Sequence, residues 1–128
     1  MFTKDLQGEL TSISLLPGAA VATSGNGTGV DLIGYVGEVV AVLNAGVKTA
    51  GDNPTMDIAF EDSANNSSFA AISPAVAFTQ LTTAASVQVI RIDTRAVRRY
   101  IRAVKTIGGT STPSFPLSVT MLGQKQVQ

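Results

Sequence analysis

Gly and Pro interrupt this chain at close intervals, at "LPGAA", "SGNGTG", "IGYVGE", "NAG", "AGDNP", "IGGTSTP" and "FPL". Between these interruptions lie short runs rich in Val, Ile, Thr and Phe. Interior Gly and Pro weaken helices, and β-branched or aromatic residues suit a pleated, half-buried surface. Short strands at regular spacing, separated by turn signals, predict an all-β sandwich or barrel.

Several runs alternate with the period of a strand. In "TMDIAFED", Met56, Ile58 and Phe60 share one face and Thr55, Asp57, Ala59 and Glu61 the other. That pattern predicts one buried and one wet face. In "LSVTMLGQ", Leu117, Val119 and Met121 line up opposite Ser118, Thr120 and Leu122. "GEVVAVLNAG" is nearly all apolar and is expected deep in the core. "SVQVIRID" carries apolar residues on both faces, Val87 and Val89 against Ile90 and Ile92, as a central strand would.

"FEDSANNSSFAAI" reads as strand, polar turn and strand. Asn, Asp and Ser tolerate left-handed backbone and bond their own main chain, so the Asn/Ser tip is expected to be a solvated loop. A sugar- or ion-binding loop is the alternative. "DTRAVRRYIRAV" has some helical spacing, but a turn at "DTRAV" followed by a strand agrees better with the rest of the chain. In that strand Tyr100, Arg102 and Val104 oppose Ile101, Ala103 and Ile107. "SGNGTG" lacks the Lys-Ser/Thr of a phosphate-binding loop and precedes strand rather than helix. It is expected to be a flexible turn.

The chain has 128 residues, a length that suits one domain. The organisation expected is an N-terminal arm over 1–11, a β-sandwich over 12–123 and a tail over 124–128. There is no Cys and no His. Disulfides and thiolate metal sites are therefore excluded, and the usual general base near neutral pH is missing. No nucleophile has a base beside it in sequence, so no enzyme, cofactor or metal is expected. No run approaches the roughly 20 apolar residues of a membrane span, and "MFTKDLQGEL" lacks the apolar region of a secretory signal.

Nine basic and nine acidic residues cancel, and charged residues make up 14% of the chain. A low-charge surface rich in small residues suits contact with a partner. Six of the nine basic residues fall in one window, Arg91, Arg95, Arg98, Arg99, Arg102 and Lys105, with Asp93 its only acid. Such a cluster could grip an acidic protein surface or a neighbouring subunit, or could be a solvated strand with local ion pairs. With one aromatic in the window and zero net charge, nucleic acid is not the expected partner. Asp57, Glu61 and Asp62 lie close in sequence. They supply few ligands for Ca²⁺, and without Trp they lack the aromatic platform of a glycosidase, so a structural role is expected.

The run "LLPGAAVATSGNGTGVDLIGYVGEVVAVLNAG" resembles the opening of small virion proteins of tailed bacteriophages. The similarity continues in "MDIAFEDSANNSSFAAI" and ends in "IDTRAVRRYIRAVKTIGGTSTPSFPLSVTMLGQK", so it covers nearly the whole chain. The resemblance implies a β-sandwich of jelly-roll type acting as a capsid decoration (cement) protein. It would bind the outer surface of the assembled head, often as a homotrimer, and bridge copies of the major capsid protein after synthesis in the host cytoplasm. A tail, neck or fibre component, or a carbohydrate-binding sandwich module, is the alternative. On the decoration reading, Phe2, Lys4, Asp5 and Leu6 would make arm contacts, and Arg95, Arg98, Arg99 and Arg102 a basic contact with the capsid or a neighbouring subunit.

Overall fold

The computed structural model describes residues 10–125. The described chain is all-β, as its sequence predicts. The strands are β1 (Thr11–Val21), β2 (Gly25–Asn26), β3 (Val30–Asp31), β4 (Glu38–Ala45), β5 (Ala50–Ser63), β6 (Ala70–Ala71), β7 (Ser86–Asp93) and β8 (Tyr100–Gly123). Every pairing between them is antiparallel.

β8 organises the whole fold. Its first half pairs with β5 on one side and with β2 and β3 on the other. Its second half pairs with β1 on one side and β4 on the other, and β4 passes the ladder on to β7. One 24-residue strand therefore belongs to two sheets, a first of order β1-β8-β4-β7 and a second built on β5 and β8. The corner where β8 leaves one sheet for the other is made by left-handed backbone, at Gly109 (φ 113°), Ser111 (φ 60°) and Thr112 (φ 49°). β5 turns with it at Gly51 and Asn53, and the ladder shifts register there. Such irregularities bend a strand and raise its twist. Ser111 Oγ donates to Asp52 Oδ2 at 2.6 Å and ties the two turning strands together.

The inward faces follow the alternation of the sequence. Val39, Ala41 and Leu43 of β4 are fully buried, as are Val119 and Met121 of β8. Met56, Ile58 and Phe60 of β5 meet them from the second sheet, with Ile101 and Ala103. Segment 76–81 runs beside β5 and bonds it through Phe60, Ile58 and Met56, which brings Phe78 and Leu81 into the same core. Phe78 packs tilted on Phe60, ring centroids 5.7 Å apart, a geometry aromatic rings favour.

Two expectations are corrected. "SVQVIRID" forms β7, which among the described residues is an edge strand paired only with β4 rather than a central strand. Its second apolar face, Val87 and Val89, is 69% and 60% exposed. "SGNGTG" is not a free turn: Gly25 and Asn26 pair with Lys105 and Val104, and Gly27 N–H donates to Ala103 O at 2.6 Å. A Cβ on Gly27 would stand 2.5 Å from the carbonyl oxygen of Leu15, so glycine there permits close backbone approach. "DTRAV" is a turn as expected, with Arg95 N–H donating to Asp93 Oδ1 at 2.9 Å and Ala96 N–H to Asp93 O at 3.0 Å.

Candidate interaction surfaces

Two outward faces carry the features that bear on function. The first is the outer face of the second sheet and the turn leading into it, where most of the Arg-rich window lies. Arg102 of β8 stands opposite Glu61 of β5, and its Nε and Nη2 donate to Glu61 Oε1 at 2.9 and 2.7 Å. The same guanidinium lies over the ring of Phe69, 4.2 Å from its centroid. Arg99 forks onto Asp31, Nε to Oδ1 at 2.9 Å and Nη2 to Oδ2 at 2.8 Å, and stacks on Tyr100. Arg98 closes on Asp62 at the end of β5. Arg95 pairs with Asp93 at 3.2 Å, and Arg91 lies 3.9 Å from Glu38.

The window is thus basic in sequence and matched in space. Its carboxylates come from other strands and loops, and only Asp93 is visible by reading along the chain. The Arg99 guanidinium, through its hydrogen bonds, holds the Asp31 carboxyl below its ordinary range, aided by the Ile33 N–H and opposed by burial. Asp93 is lowered by the backbone and side chain of Arg95. Arg95 keeps the most accessible side chain of the four predicted contacts, 80% exposed, whereas Arg102 is 22% exposed. The predicted arm contacts Phe2, Lys4, Asp5 and Leu6 lie outside the described residues.

The Asn/Ser loop is a self-bonded turn. Asn65 Oδ1 accepts from Ser63 Oγ, Ser67 N–H and Ser68 N–H at 2.9–3.0 Å, and Asn66 adopts left-handed backbone (φ 58°). Asp57 is taken up by Gln80 at 3.1 Å and Glu61 by Arg102. Among the described residues, no group of three or more acidic side chains could hold a metal ion. No helix among them is long and apolar enough to cross a membrane.

The second surface was missed by sequence reasoning. It is the outer face of the first sheet. Register places Val89 beside Val42 and Val42 beside Thr120; Ser14 of β1 completes the row. The next row runs Arg91, Val40, Leu122 and Ser12. This face is a carpet of Val, Leu, Ser and Thr, and the loosely paired Arg91 and Glu38 mark its rim. The signal was present in the alternation of "EVVAVLNA" and "SVQVIRID", where four of the outward positions, Val40, Val42, Val87 and Val89, hold Val and the charges Glu38, Arg91 and Asp93 sit toward one end. A solvated sheet face is usually polar, so a valine-rich one suits contact with another surface.

No family model matches the chain, and no curated protein matches it. Solved structures do share its fold. The SPBc2 prophage-derived protein YomS aligns with a TM-score of 0.52 at 12% identity, over 90% of this chain and 92% of that one. The PBSX exported protein XepA aligns with a TM-score of 0.53 at 14% identity, over 92% of this chain but 38% of that one. The chain thus spans well under half of XepA. At such identities the likeness is one of fold. The described chain is a single antiparallel β-sandwich, an architecture that it shares with these two phage-derived proteins.

Proposed function

We propose that this protein is a non-enzymatic structural component of a tailed-phage virion, a decoration protein that binds the outside of the head and bridges copies of the major capsid protein. The observation that carries the reading is the valine patch on the outer face of the first sheet, built on Val40, Val42, Val87 and Val89, with its charges confined to the end at Glu38, Arg91 and Asp93. Burial of such a face against a protein lattice gains roughly 25 cal/mol per Å² of apolar surface removed from water. A modest contact repeated by an oligomer across neighbouring lattice sites is strengthened by multivalency. The phage origin of two proteins with this fold agrees with the reading.

The basic contact is assigned to Arg95, Arg98, Arg99 and Arg102. Arg95 is the one best placed to exchange its local partner for a capsid carboxylate. Phe2, Lys4, Asp5 and Leu6 are assigned to an arm contact. The test is occupancy of heads that lack the protein, measured by quantitative gel densitometry after sedimentation. Val40→Lys with Val42→Lys is expected to lower occupancy at least tenfold with the fold retained. Unchanged occupancy removes the first-sheet face from the reading, and unchanged occupancy of an Arg95→Ala variant removes that contact.

A further inference from the structure

The first sheet has two edges, and they differ. The β1 edge carries Pro17. Its ladder with β8 shifts register between Ser14 and Leu16 and again between Leu16 and Ala19. Bulges and edge prolines are devices that stop a strand from pairing further. β7 has neither. Its residues Ser86–Asp93 pair with β4 without a register shift, and the strand contains no Pro, Gly or Lys.

The phase of the ladder shows what this edge offers. Thr94 N–H donates to Gly37 O at 3.0 Å, one step beyond β7. On the other side of β4, Gly46 N–H donates to Pro116 O at 2.8 Å. Antiparallel bonds alternate between residues. Ile92, Ile90 and Gln88 therefore bond β4, whereas Arg91, Val89 and Val87 turn their N–H and C=O groups away from it. Among the described residues no strand pairs with β7 on that side.

We propose that β7 pairs antiparallel with the β7 of a second copy about a two-fold axis, joining two first sheets into one. The edge is self-complementary, as an isologous contact requires. Outward-turned residues must face outward-turned residues. The register that sets Val87 opposite Val89, with the axis at Gln88, meets this condition in both directions. It brings four valines together on the outer face. It also sends the two Arg91 side chains to opposite ends of the contact, each across from an Ala85, so like charges do not meet. The chain's zero formal charge adds no net repulsion between copies. The valine-rich faces of both copies then form one continuous platform. An isologous edge is used up by one partner, so this contact makes dimers, and a three-fold arrangement would need another surface.

The test is mass by light scattering on the full chain over a dilution series. The wild type is expected at twice the 13.2 kDa chain mass. Val89→Pro removes an outward N–H, which an edge strand tolerates; it is expected to halve the mass and keep the β-sheet circular dichroism. Should Val89→Pro fail to fold, Val87→Lys with Val89→Lys reads the same contact. A wild type that stays monomeric throughout overturns the pairing, as does an oligomer that the folded variants leave intact. The pairing stands apart from the virion reading: a dimer that ignores heads keeps it, and a monomer that binds heads does not.

Discussion

Asp62 and Arg98, 36 residues apart, lock the turn after β7 onto the end of β5. Arg98 donates to the Asp62 carboxylate from its backbone N–H (3.0 Å), Nε (2.9 Å) and Nη2 (2.7 Å), and Nη2 also reaches Asp62 O at 2.7 Å. The Asp62 side chain is 11% exposed and that of Arg98 46%. The two partners should therefore tolerate loss unequally. Arg98→Ala strands a buried carboxylate and is expected to cost about 3 kcal/mol. Asp62→Ala leaves a guanidinium that can turn to water and should cost about 2 kcal/mol. Urea unfolding of both variants and of the double variant checks this. The double variant should be less destabilised than the sum of the two.

Gly27 lies where β2 leaves β8, against the carbonyl oxygens of Leu15 and Ala103. Gly27→Ala would force a Cβ to 2.5 Å from the first and 3.1 Å from the second. The backbone must move, so a cost of about 2 kcal/mol or more is expected. Gly34→Ala is the comparison. Its added Cβ meets nothing within 4 Å, although its φ of 87° still favours glycine. It should cost about 1 kcal/mol, and thermal unfolding ranks the two.

Tyr35 is 7% exposed, and its hydroxyl has no hydrogen-bond partner among the described residues. Its ring packs against Gly123 and lies 5.2 Å from Lys125 Nζ. Tyr35→Phe keeps the ring and removes the orphaned hydroxyl. It is expected to be neutral or to stabilise by up to about 1 kcal/mol. Burial raises the Tyr35 pKa above its ordinary 10.0. Its contribution is therefore complete below the unfolded value and is lost as pH rises through the raised folded one. Wild type should lose stability faster than Tyr35→Phe in that alkaline range.

At the acid end the pair Asp31–Arg99 contributes. The Asp31 pKa is lowered from 3.8, chiefly by hydrogen bonds from Arg99. Its contribution is present above the unfolded value and is lost as pH falls through the lower folded one. An Asp31→Asn variant should flatten the stability profile below about pH 4. The pair is partly solvated, so added salt should shrink the difference. Unfolding midpoints in urea at stepped pH, at low and high salt, give the comparison.

Much of the fold was legible because burial imposes a period of two. Met56, Ile58 and Phe60 read as one face and are one face. Leu117, Val119 and Met121 behave the same way, and the Asn65–Asn66 turn follows from side-chain chemistry. What escaped was set by pairing between distant strands. Val87 and Val89 look like a second buried face, but they lie on the outer face of the first sheet, on an edge strand, and are exposed. The Arg window looks unmatched because Asp31, Glu61 and Asp62 reach it from other elements. Gly27 looks like part of a loose turn until the Leu15 carbonyl is seen beside it.

Binding to an assembled head is the property on which the proposed function stands. It is measured by sedimenting the protein with mature heads that lack it and, in parallel, with unassembled major capsid protein. Saturable co-sedimentation with heads, and none with the unassembled subunits, is the predicted result. Failure to bind heads at saturating protein, or equal binding to free subunits, would overturn the decoration role.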